Sequence, residues 1–166
     1  MTAVVDIQLV PHPIQGDATR PEFPLGFPPD AGAECVFIGR TRAEAHPVHG
    51  PLVRLDYHAY EAMAATVLRA LADRAIADYG CSAVRIHHAT GPVAIGEASV
   101  LVQVACGHRD KAFAACRMLI DRLKAEAPVW KREVWSDGAT WSQGTPVAME
   151  RHEDRGVRHV AGSPAS

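Results

Sequence analysis

Two runs of the 166-residue chain, 61–79 and 110–126, repeat their apolar residues every three or four positions, while its other apolar runs are short and β-rich. That spacing predicts two helices, each with one buried stripe. In the first, Met63, Val67 and Leu71 recur every four residues with Leu68 and Ile76 beside them, and no glycine or proline interrupts before Gly80. A glycine there suits the left-handed residue that follows a helix end. In the second, Phe113, Cys116, Ile120, Leu123 and Ala127 form the stripe, and Pro128 ends it.

The remaining apolar runs read as strands at 3–10, 34–40, 52–58, 83–90, 98–106, 130–135 and 139–142. Residues 52–58 alternate strictly, and Asp137-Gly138 is a hairpin signal between the last two runs. The order is therefore β-β-β-α-β-β-α-β-β. Neighbouring strands with no helix between them predict an α+β fold with a largely antiparallel sheet. One catalytic-sized domain over 1–150 is expected, with a proline-rich irregular connection at 11–29 and a mobile loop at 43–51. Residues 151–166 read as a loose tail.

The four cysteines, Cys35, Cys81, Cys106 and Cys116, form no close pair and lie in apolar stretches, so they are expected to be reduced, buried small residues. The first ten residues are too polar for a secretory signal, and no apolar run reaches the roughly 20 residues of a membrane span. A cytoplasmic protein without membrane contact is expected.

Charge narrows the chemistry. The formal net charge is -2, which excludes a bulk polyanion binder. Of the 17 basic residues only Lys111, Lys124 and Lys131 are lysine. Arginine stays protonated, so a lysine kept in such a background suggests work that arginine cannot do. Lys124 falls in the last turn of the second helix and Lys131 on the strand after Pro128, so the chain reversal can bring them together. Two close ammonium groups depress each other's pKa and supply an acid/base near neutrality. Lys131 and Glu133 share one strand face, and Arg132 points the other way.

Two anion sites are also legible. His108 and Arg109 stand where the second helix begins, next to its unpaired amides and positive dipole end. Gly39-Arg40-Thr41-Arg42 places two arginines at a strand exit. His46 with His49, and His87 with His88, make no zinc pattern with the cysteines, and no glycine-rich phosphate loop or GxSxG elbow is present. No metal or other cofactor is expected.

These segments together resemble a known family. The run GHRDKAFAACRMLIDRLKAEAPVWKRE at 107–133, FIGRTR at 37–42 and LDYHAYEAM at 55–63 are similar, in order, to the catalytic (large) subunit of molybdopterin synthase. The resemblance covers roughly 34–141. It implies an α/β hammerhead-type fold and a homodimer at the centre of a heterotetramer. It also implies a small ubiquitin-like sulfur-carrier subunit whose thiocarboxylated C-terminal Gly-Gly delivers sulfur to cyclic pyranopterin monophosphate. Two rounds would install the molybdopterin dithiolene. By motif position Lys124 and Lys131 fall on the family's catalytic lysines, and His108 and Arg109 on a substrate-anion site. Arg40, Thr41 and Arg42 fall on a substrate segment expected to be donated across the dimer, and Arg132 and Glu133 complete the stretch around the second lysine. The chain departs from the family in its proline-rich 11–29 and in SQGTPVAME after Trp141, where a basic residue is usual. The alternative is a non-enzymatic, arginine-rich nucleic-acid-binding module.

Overall fold

Apolar stripes and β-rich runs assemble, in a computed structural model that describes residues 2–14, 23 and 26–142, into eleven elements among those residues. They are β1 (Val4–Val10), β2 (Ala33–Arg40), β3 (Ala45–His46), β4 (Gly50–Ala59), α1 (Glu61–Tyr79), β5 (Cys81–Ala89), β6 (Pro92–Ala94), β7 (Ala98–Cys106), α2 (Arg109–Glu126), β8 (Val129–Trp135) and β9 (Gly138–Trp141). Most of the proline-rich connection, the segment just after Trp141 and the tail expected to be loose lie outside the described residues.

The fold is α+β, as expected, but the strands divide between two sheets. The larger, which has fewer but on average longer strands, runs β1-β5-β7-β2, with β1 parallel to β5 and β7 antiparallel to both its neighbours. The smaller runs β3-β4-β8-β9, and β6 pairs with β4 off that path. The two short strands, β3 and β6, were not expected. The first occupies the 43–51 segment read as a loop, because Ala45 and His46 pair back onto Pro51 and Gly50. Composition flags proline and glycine as breakers and cannot show that two residues between them find a ladder.

α1 and α2 pack on one face of the larger sheet, over Val84, Ile86, Val100, Val102 and Val104. The buried faces are narrower than the stripes suggested. α1 buries Ala64, Leu68, Leu71, Ala72 and Ala75, whereas Met63 is half exposed. α2 buries Ala112, Ala115, Cys116, Leu119, Ile120 and Leu123, whereas Phe113 is 64% exposed. Alanine on the inner faces lets helix and sheet backbones approach closely, so the larger apolar residues at the stripe edges are turned outward. Gly80 stops α1 in the left-handed region, at φ 67°, and its N–H donates to the Ile76 carbonyl at 3.0 Å. In β4 the strict alternation also fails. A register irregularity between Leu52 and Arg54 buries both Leu52 and Leu55, three residues apart, against Trp135.

The opposite face of the larger sheet carries a polar row. Arg85 Nε donates to Asp6 Oδ2 at 2.8 Å, His87 Nε2 donates to the same oxygen at 2.9 Å, and Arg85 also reaches Gln103 Oε1 at 3.2 Å. Gln103 in turn donates to Glu34. Burial alone would raise the Asp6 carboxyl, but His87, Gln8 and Arg85 outweigh it and hold it below its ordinary value. Burial pushes His87 down despite Asp6, so the row is an Arg85–Asp6 ion pair flanked by a neutral imidazole.

β4 runs directly into α1, and α2 turns through Ala127-Pro128 into β8. These two junctions touch, with Tyr60 N–H donating to the Pro128 carbonyl at 3.3 Å. The smaller sheet is thereby held against the helix side of the larger one, and a cavity opens between them. Among the described residues no helix is long and apolar enough to cross a membrane.

Candidate active site between the two sheets

The exit of β2 is fixed by close packing. A Cβ at Gly39 would lie 2.6 Å from Val100 Cγ1 on β7, so only glycine lets the strand approach so closely before its register shifts at Arg40. Beyond it, Thr41 is 3% exposed. Its N–H donates to the Glu97 carbonyl at 3.0 Å, and its carbonyl accepts from Gly96 N–H at 2.7 Å. Arg40 Nη1 donates to the Gly96 carbonyl at 2.9 Å, and Arg42 Nε pairs with Glu44 at 2.6 Å. The exit segment is therefore bolted to the β6–β7 turn and faces the cavity.

That cavity has a volume of about 670 Å³ and is lined by Arg40, Thr41, Arg42, Lys124 and Lys131, among others. The larger sheet and the end of α2 form one wall, through Phe37, Val100, Ile120 and Leu123. β4 and β8 form the other, through Leu55, Tyr57, Val129 and Trp130. Lys124 makes no hydrogen bond or ion pair among the described residues. Lys131 Nζ lies 3.4 Å from Glu133 Oε1. Glu133 accepts from Thr140 Oγ1 at 3.3 Å, and Thr140 accepts from Trp135 Nε1 at 2.9 Å. Lys131 is thus aimed by a relay that starts at a buried tryptophan on its own strand and passes through β9.

Five of the nine sequence-predicted site residues meet in this cavity, all from one chain. Arg40, Thr41 and Arg42 need no second copy to reach the lysines, because β2 packs against α2 within the chain. His108 and Arg109 do not reach it. They stand at the other end of α2 from Lys124, roughly 22 Å away at 1.5 Å per residue. Arg109 is largely exposed and 3.9 Å from Asp110, and His108 is the N-cap without a side-chain cap bond. Arg132 faces away, as alternation requires, into a shallower pocket with Arg54, Asp56, His58 and the Thr90–Pro92 turn. Glu133 touches the site through Lys131.

Sequence reasoning missed Tyr57, His88, Ser99 and Glu44, which also line the cavity. A signal for His88 was present. It alternates onto the same face as Val84 and Ile86, whereas His87 faces the polar row. Among the described residues no group of three or more His, Cys, Asp or Glu is placed to hold a metal ion. Cys81 and Cys106, cross-strand partners with sulfurs 3.0 Å apart, are free and buried, and burial drives the Cys81 thiol up.

Comparison with known proteins identifies the family to which this fold belongs. The model of the MoaE protein family matches residues 13–126. The molybdopterin synthase catalytic subunit of Nostoc sp. is 46% identical over 112 residues, covering 66% of this chain and 67% of its own length. That of Staphylococcus carnosus is 37% identical over 134 residues, covering 81% and 86%. Among solved structures, molybdopterin synthase from Staphylococcus aureus superposes with a TM-score of 0.72 at 32% identity, covering 81% of this chain and 95% of that one. A complex of subunits 1 and 2 of the molybdopterin-converting factor from Helicobacter pylori shares the fold, with a TM-score of 0.63 at 22% identity over 87% and 91% of the chains. The matches favour the enzyme reading over the nucleic-acid alternative, and the chain belongs to the MoaE family, alongside molybdopterin synthase catalytic subunits.

Proposed function

We propose that the chain is the sulfur-transferring subunit of a cytoplasmic molybdopterin synthase. A small carrier subunit inserts its thiocarboxylated Gly-Gly terminus into the cavity, and the sulfur attacks cyclic pyranopterin monophosphate. The observation that carries this reading is the convergence of Lys124 and Lys131 with Arg40, Thr41 and Arg42 in one cavity of about 670 Å³. The thiocarboxylate and the cyclic phosphate are both anions, and four cations in a partly enclosed site lower the cost of bringing them together. Once the sulfur has bonded to the pterin, the carrier is held as a thioester. An ammonium group can stabilise the oxyanion formed as water adds to that carbonyl, and can pass a proton as the C–S bond breaks, leaving the sulfur on the pterin and the carrier as its carboxylate. Glu133 keeps Lys131 aimed for that step.

The expected site also includes His108 and Arg109, about 22 Å from Lys124 in the same chain. We assign them to the cavity of a second copy, in line with the homodimer that the resemblance implies. The residues that cross the dimer would then be His108 and Arg109 rather than the Arg40–Arg42 segment.

The test is a reconstituted assay with thiocarboxylated carrier and cyclic pyranopterin monophosphate. Lys131→Ala and Lys124→Ala should each cut molybdopterin formation by at least about a hundredfold in a protein that still folds. Near-normal turnover in both variants would overturn the reading. Mixing Lys131→Ala with Arg109→Ala subunits should restore part of the activity, because one cavity of each mixed dimer is then intact. No recovery on mixing would remove the second-copy assignment and leave the lysines standing.

A further inference from the structure

The cavity lining includes an imidazole that the charge-based mechanism does not use. His88, the last residue but one of β5, is 5% exposed and lines the cavity with Tyr57 and Ser99. Its Nδ1 lies 2.7 Å from the Ala89 carbonyl oxygen. A carbonyl oxygen only accepts, so the proton sits on Nδ1 and the lone pair on Nε2. Tyr57 meets the ring edge-on, with centroids 5.2 Å apart and planes at 76°, and so fixes its tilt. Burial pushes the imidazole below its ordinary pKa, and the bond to Ala89 offsets this only in part, so the ring is neutral at pH 7.

Nε2 has no protein partner among the described residues, yet no described side-chain nitrogen or oxygen is both sealed from solvent and unsatisfied. The atom therefore opens onto the cavity. Of the hydroxyls that line the cavity, Thr41 Oγ1 donates to the Val93 carbonyl at 3.5 Å and Ser99 Oγ to the Gly39 carbonyl at 3.4 Å, while the Tyr57 hydroxyl makes no hydrogen bond among the described residues. The charged groups around the imidazole are Arg40, Arg42, Glu44, Lys124 and Lys131. Cations attract any anion of suitable size and discriminate poorly. A fixed neutral acceptor selects a ligand that offers an N–H or O–H at one place, and a buried acceptor left unpaired penalises a ligand that lacks it.

We propose that His88 is a specificity-determining residue of the substrate site, its Nε2 accepting a hydrogen bond from an N–H or O–H of the uncharged, donor-bearing heterocycle while the cations hold the anionic groups. This rests on the functional reading above and adds to it which surface of the cavity reads the ring. Tyr57 acts through His88, as the group that holds the imidazole at its angle.

Calorimetric titration of the full chain with cyclic pyranopterin monophosphate, and separately with inorganic phosphate, tests the assignment. His88→Phe should weaken the pterin by roughly ten- to a hundredfold, the loss expected when one buried hydrogen bond goes unmade, and leave phosphate affinity unchanged. His88→Gln, whose amide oxygen can reach the place of Nε2, should recover most of the loss. In turnover the Phe variant should raise KM more than it lowers kcat. Equal pterin affinity in wild type and His88→Phe would overturn the inference alone, whereas a wild type that does not bind the pterin would overturn the functional reading and the inference with it. Nitrogen NMR of the wild-type chain guards against a misfolded variant. The Nε2 resonance of His88 should report an unprotonated nitrogen and move as pterin is added, and an unmoved resonance at saturation would also refute the proposal.

Discussion

On the far face of the larger sheet, Arg85 is closed in by Asp6 and Gln103, and its side chain is only 8% exposed. In the cavity, Arg40, Arg42, Lys124 and Lys131 face open volume, and their carboxylate neighbours Glu44 and Glu133 sit at the edges. Both clusters contain arginine and carboxylate, but they answer different constraints. A buried ion pair costs several kcal/mol of desolvation per charge, which is recovered only if every member is partnered, so the Asp6–Arg85–His87 row can persist as structure alone. Four cations against two carboxylates leave the cavity with an excess of positive charge, and that excess adds nothing to stability. Their presence there is explained by a ligand that supplies the missing negative charge.

The sharpest way to break the contrast is to delete one charge from each cluster. Lys131→Ala should cut synthase turnover by roughly a hundred- to ten-thousandfold, the range for a lost acid/base group, while shifting stability by no more than about 1 kcal/mol, since its pair with Glu133 is partly exposed. Asp6→Ala should do the reverse. With Arg85 left without its carboxylate, unfolding in urea should show a loss of about 3 kcal/mol, and turnover per folded molecule should be retained. If Asp6→Ala instead silenced the enzyme without destabilising it, the structural role given to the row would fail.

A smaller effect sharpens the cavity side. Glu133→Gln keeps the shape but weakens the hold on Lys131 Nζ at 3.4 Å, and should lower kcat about tenfold with little change in KM. The least effect at neutrality is a pH signature. His87 and His88 titrate lower in the folded chain than their ordinary 6.5 because burial disfavours their charged forms. Below that value the unfolded chain binds protons that the folded chain does not, so stability is full above about pH 6.5 and falls as the pH drops toward their folded values. Asp6, also held low, adds a second decline as acid reaches the carboxylate range, below about pH 4. Urea midpoints measured from pH 7.5 downward should fall in two stages, and Asp6→Asn should remove the second. A flat profile to pH 5 would contradict the burial of the two imidazoles.

Much of the fold was legible because helical and strand periodicity are local. The first helix is observed over Glu61–Tyr79, where the spacing put it, and Gly80 ends it for the reason expected. Hairpin chemistry at Asp137-Gly138 likewise joins β8 to β9, with Trp135 opposite Gly138. The exceptions share a cause. Met63 and Phe113 fit the apolar period, but tight packing on the sheet is carried by alanines, whose weak hydrophobic signal hides their burial. Leu52 and Leu55 share a face only because β8 imposes a register irregularity on β4.

By itself the sequence determined that this chain makes two helices and a set of largely antiparallel strands. It also marked Lys124, Lys131 and the Arg40–Arg42 segment as residues whose types and motifs carry chemistry. Those are matters of spacing and side-chain identity, which neighbouring residues set. Only the tertiary structure decided which of them meet. It brought β2 and the end of α2 to face β4 and β8, enclosed His88 beside Tyr57, and left His108 and Arg109 a helix length away. Such proximity depends on strand pairings between residues as far apart as Tyr57 and Lys131, and no local pattern encodes them.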